Sequence, residues 1–118
     1  MKVKCVRNKL DFDYQNQMNS DMREYLEINT EFDVFGMRFC SNVCLIYIYN
    51  GNHLFEVPIE FFDIIDRTIL FEWHVKKWDN GDYTIWPEFF YMEDFFENFS
   101  ERDERERLIF AEYCKRFK

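Results

Sequence analysis

Glycine and proline are scarce in this chain, three and two among 118 residues. With so few of either, disorder and low complexity are poor readings of the chain. The scarcity also excludes a glycine-rich phosphate loop, because Gly36, Gly51 and Gly81 stand far apart. Apolar runs are equally short. Charges recur too often for the eighteen or so consecutive apolar residues of a membrane span. The opening MKVKCVRNKLDFDY is basic but has no apolar stretch of signal-peptide length. Four cysteines at 5, 40, 44 and 114, in a chain with ample material for a core, are expected to be reduced thiols in a cytoplasmic protein. Cys40-x3-Cys44 has half the spacing of a zinc site, but no second Cys or His pair completes it. No metal or cofactor is expected.

Aromatics, in contrast, are abundant: fifteen Phe, seven Tyr and three Trp. The formal net charge is −8, and it is unevenly placed. Residues 1–50 carry seven acids against six bases, and 101–118 carry five against six. Residues 51–100 carry eleven acids against only Arg67, Lys76 and Lys77, so the excess resides there with fourteen of the aromatics. Direct nucleic-acid binding needs a basic patch and is not expected. The asymmetry favours a basic protein partner, or serves solubility alone.

Along the chain, VKCVRN (3–8) alternates like a short strand, and 11–24 is polar enough for a long loop. EFDVFGMRFC (31–40) places Phe32, Val34 and Gly36 on one face and Phe35, Met37 and Phe39 on the other. VCLIYIYN (43–50), the Asn50-Gly51-Asn52 turn and HLFEV (53–57) predict a hairpin. Pro58 ends the second strand, and IEFFDII (59–65) predicts a helical turn leading into a further strand. TILFEWHVKKW (68–78) and YTIWP (83–87), around Asp79-Asn80-Gly81-Asp82, predict a second hairpin.

After residue 87 the period becomes helical. Phe89, Met92, Phe96 and Phe99 form one expected buried stripe, with Glu93, Asp94 and Glu97 turned away. Ser100, with Asp103 three residues on, predicts the cap of a second helix buried through Phe110, Tyr113, Cys114 and Phe117. Within ERDERER the spacings pair Glu101 with Arg105, and Asp103 and Glu104 with Arg107, giving a self-neutralised face.

The first 66 residues resemble a small SH3-like β-barrel. The likeness rests on VKCVRN, a long loop, YLEINTEFDVFG, CLIYIYN, and LFEVPIEFFDIID with its proline and one-turn helix. It also extends to small uncharacterised bacterial and phage proteins with a Pro-x3-Phe-x3-Asp pattern, here Pro58, Phe62 and Asp66. The resemblance implies a closed antiparallel barrel, and implies that Pro58 and Phe61 help line a groove for proline-rich peptides. The family's Ala-Leu-Tyr-Asp-Tyr run is absent.

The expected fold is therefore α+β, one domain over 1–118. Residues 1–66 form an SH3-like core, and 67–118 add a hairpin and two C-terminal helices as cover. Two histidines on strand-like segments and no recognisable triad make an enzyme unexpected. The expected function is non-catalytic protein binding, as an inhibitor or immunity-type protein neutralising a basic partner such as a nuclease toxin. Alternatives are an SH3-like adaptor using Pro58 and Phe61, and a phage anti-defence protein that mimics nucleic-acid charge. The expected contact residues are Trp78, Asp79, Asp82, Trp86, Glu88, Glu93, Asp94 and Glu97.

Overall fold

The computed structural model describes residues 1–10, 21–69 and 72–116. It has the α+β composition expected: seven strands in one antiparallel sheet, then two helices. Residues Met1–Trp86 and Pro87–Lys118 pack as two compact units. Most of the expected loop at 11–24, together with Phe117 and Lys118, lies outside the described residues.

In the first unit, β1 (Lys2–Cys5), β2 (Glu31–Cys40), β3 (Val43–Tyr49), β4 (Leu54–Pro58) and β5 (Phe62–Asp66) pair in the order β4-β3-β2-β1-β5. A one-turn 3-10 helix, Ile59–Phe61, follows Pro58 and turns the chain from β4 into β5. β6 (His74–Lys77) and β7 (Tyr83–Trp86) form the second hairpin. This hairpin continues the sheet. One side of β2 carries β3, while its other side is shared by β1 at Glu31–Asp33 and β7 at Met37–Phe39.

Turn chemistry explains both hairpins. Asn50 accepts bonds on Oδ1 from the backbone N–H groups of Asn52 (3.0 Å) and His53 (2.8 Å), and Gly51 takes the positive φ of 99°. In the second turn the Asn80 side chain accepts from the Asp82 N–H at 3.0 Å, and Gly81 has φ 93°. The β1–β2 excursion is tied at its base: the Cys5 N–H donates to Thr30 O and the Asn29 N–H to Cys5 O.

The alternation expected for 31–40 is broken by a bulge. Val34 faces Ile48 and Gly36 faces Tyr47, so Phe35 is an extra residue on β2. The slip returns Met37 to the side of Phe32 and Val34, and all three join the main cluster with Val3, Ile46, Ile48, Val57 and Phe61. Gly36 therefore shares a face with Tyr47 and Arg38 and not with Val34. Hydrophobic periodicity alone cannot register a bulge, because it assumes an unbroken period of two.

The second unit is an aromatic core on short helices. A 3-10 turn (Glu88–Tyr91) precedes α1 (Phe95–Ser100) and α2 (Glu104–Lys115). The expected stripe is corrected: Phe90, Phe95 and Phe99 are buried, whereas Phe89, Met92 and Phe96 are half-buried. The cause is the break at Asp94, which has φ 58°, so 89–99 never forms one continuous helix. Phe99 meets Phe110 edge-on at 5.2 Å, and Phe89 meets Tyr113 at 5.0 Å. Ser100 is also corrected, for it is the last residue of α1. Arg102, at φ 65°, closes that helix, with the Arg102 N–H donating to Phe99 O and the Asp103 N–H to Asn98 O. Asp103 then stands at the N-terminal cap position of α2, without a side-chain cap bond.

Candidate partner-binding surface

The second hairpin places four of the eight expected contact residues. Trp78 follows β6 and is half-buried. Its indole N–H donates to the hydroxyl of Thr84, wholly buried on β7, at 3.0 Å, and the Lys76 ammonium lies 3.9 Å from its ring centroid. The indole is thus bonded along one edge and covered on one face. Trp86 is only 5 % exposed and meets Tyr47 edge-on at 5.2 Å. Such a side chain belongs to the packing of the sheet and has almost no surface for an anchor. Asp79 reaches solvent at the turn, while the half-buried Asp82 lies 3.6 Å from Arg38.

Arg38 organises what surrounds Asp82. Its Nη2 donates to Glu56 Oε1 at 2.6 Å, and the other Glu56 oxygen accepts from the Tyr47 hydroxyl. Gly36, Tyr47 and Glu56 stand side by side in register across β2, β3 and β4, and Arg38 is two residues along β2. This cross-strand arrangement was not read from the sequence, although its parts sit on strands that were. Burial pushes the Tyr47 phenol well above its usual range, and the Glu56 carboxylate beside it pushes further. Desolvation works to lower the Arg38 guanidinium, but Glu56, Tyr47, Cys40 and Asp82 together outweigh it and the pKa ends above the ordinary value. The Arg38–Glu56 pair is only part-buried, so it contributes about 1 kcal/mol at most.

Glu88, Glu93, Asp94 and Glu97 belong to the second unit, and all four are exposed. The carboxylates of Asp79, Glu93, Asp94 and Glu97 make no ion pair with any described residue. Lys76 and Lys77, two of the three cations of 51–100, lie over the rings of Trp78 and Tyr83.

The ERDERER run departs from its expected pairing. Glu101 lies in the link before α2, so no helical i,i+4 relation joins it to Arg105. Arg107 turns to Phe99, its Nε donating to the carbonyl at 2.9 Å and its guanidinium 3.8 Å above the ring. Glu106 is 3 % exposed in the first turn of α2, where it accepts from Asn98 Nδ2 at 3.2 Å. The helix dipole also favours a carboxylate there.

Pro58 and Phe61 are both buried, Phe61 completely. Neither can line a peptide groove in this arrangement, which corrects the role the SH3 resemblance implied for them. Cys40 pairs with Val43 and Cys44 with Phe39, so the two thiols leave opposite faces of the β2–β3 hairpin and cannot chelate together. Burial raises both thiols, Cys44 to about 11. Among the described residues no group of three His, Cys, Asp or Glu side chains could hold a metal ion. No helix among them is long and apolar enough to cross a membrane.

No family model, curated protein or solved structure matches the chain.

Proposed function

We propose that this protein is a non-catalytic binding module that neutralises a basic protein, in the manner of an inhibitor or immunity protein acting on a nuclease toxin in the cytoplasm. One observation carries the reading. Of the acids that make up the excess in residues 51–100, Asp79, Glu93, Asp94 and Glu97 are exposed and make no ion pair with any described residue. Exposed carboxylates without partners steer a cationic protein and accelerate its docking. Glu88 joins them by exposure. Trp78 and Trp86 leave the contact set and support the hairpin from within, and Asp82 is held by Arg38.

The strand order β4-β3-β2-β1-β5, with a 3-10 turn between β4 and β5, supports an SH3-like reading of residues 1–66 as the scaffold. In this reading the scaffold displays charge and offers no proline-peptide groove, since Pro58 and Phe61 are inside.

The test is a parallel affinity purification with wild type and with the variant Asp79→Lys, Glu93→Lys, Asp94→Lys. A basic protein retained by the wild type should be lost from the variant. Added in purified form, the wild type should inhibit that protein's activity on nucleic acid. Retention of only neutral or acidic proteins, or equal retention by both, would overturn the proposal.

A further inference from the structure

A second acidic surface lies where the β1–β2 excursion returns toward β2. Tyr25 is 51 % exposed, and its ring sits 5.4 Å from Phe55 on β4, tilted by 53°. Phe55 in turn lies 5.8 Å from His53. Tyr25 also lines an open depression of about 640 Å³ with Glu24, Glu27, Leu26 and the exposed Ile28. Arg23, the cation among the described residues that line it, is spent locally. Its Nε and Nη2 donate to the two oxygens of Asp21 at 2.9 and 2.7 Å, and these bonds hold the Asp21 carboxyl down at about 2. Glu24 and Glu27 have no ion pair with any described residue.

We infer that the Tyr25 depression receives an arginine side chain from an extended basic segment of the partner. An aromatic face open to solvent beside two unpaired carboxylates is complementary to a planar cation. The guanidinium stacks on the ring, its N–H groups reach the carboxylates, and the aliphatic stem lies along Ile28. A lysine has the charge without the plane and fits less well. The inference rests on the basic-partner reading above and adds a contact that no local pattern in the chain singles out. Tyr25 and Phe55 are thirty residues apart and meet only in the fold.

The probe is an acetylated, amidated heptapeptide, Gly-Arg-Gly-Arg-Gly-Arg-Gly, titrated into the full-length 15N-labelled protein, with the Lys analogue as a second arm. Saturable shifts at Glu24, Tyr25, Ile28 and Phe55 are expected. Tyr25→Ser, at an exposed position, should weaken the arginine peptide about fivefold. Glu24→Gln with Glu27→Gln should weaken it about tenfold. Equal affinity for the lysine peptide, or unchanged affinity in Tyr25→Ser, would overturn the assignment. Shifts confined to Asp79 and residues 88–97 would overturn it as well while leaving the basic-partner reading intact, since that reading is decided by the affinity comparison above.

Discussion

Tyr47 stands directly opposite Glu56 across the β3–β4 ladder and donates its hydroxyl to that carboxylate. The relationship joins a phenol with almost no exposure to a carboxylate that Arg38 holds from the other side. Both groups come from strands legible in the sequence, yet the pair exists only because the register places them together.

Its consequence is alkaline sensitivity. The folded state raises the Tyr47 pKa, so the neutral phenol is favoured in the native protein. Its stabilising contribution is complete below the unfolded pKa of about 10 and is lost as pH rises above that value. Urea midpoints of the wild type should fall above about pH 10, and Tyr47→Phe should flatten that fall. At pH 7 the same change should cost about 1 kcal/mol, since Glu56 keeps its bond to Arg38. An alkaline limb as steep in Tyr47→Phe as in the wild type would refute this.

Stability should separate Phe110 from Ser100. Phe110 is 2 % exposed against Phe99, so Phe110→Ala should cost about 3–5 kcal/mol. Ser100 is exposed at the end of α1 and caps nothing, so Ser100→Ala should stay within about 0.5 kcal/mol. Thermal melts of the two variants decide this, and a loss near 1 kcal/mol at Ser100 would restore a capping role.

Trp86 should act through folding. Trp86→Ala removes a buried ring packed on Tyr47 and should cost about 3–5 kcal/mol. Trp78→Phe, which deletes the bond to Thr84 but keeps most of the ring, should cost about 1 kcal/mol. Binding measured at a temperature where both variants remain folded should match the wild type.

Thiol reactivity should report the burial of the cysteines. All four are thiols outside any disulfide, so the unfolded protein should titrate four of them. In the native state Cys5 should label slowest, being buried with its Sγ donating to Arg7 O. Cys44, raised to about 11, should label slowly at pH 7 and faster as pH climbs toward that value. Rapid labelling of Cys44 at neutral pH would contradict its desolvation.

The sequence by itself determined what depends on neighbours along the chain. Asn50-Gly51 and Asn80-Gly81 set both hairpin turns because their side chains and φ preferences act within four residues. Pro58 fixed the end of β4 and the 3-10 turn after it, and the spacing of Phe110 and Tyr113 marked the buried face of α2. The charge asymmetry and the exposure of Asp79, Glu93, Asp94 and Glu97 were legible as well, since carboxylates without partners stay in water. Only the tertiary structure decided the rest. It placed the bulge at Phe35, and it set Arg38 between Glu56 and Asp82, eighteen and forty-four residues away. It turned Trp86 inward onto Tyr47, closed α1 at Arg102 without a glycine, and brought Tyr25 against Phe55. Each of these is settled by packing between distant segments, where burial outweighs the small local preferences that a sequence pattern records.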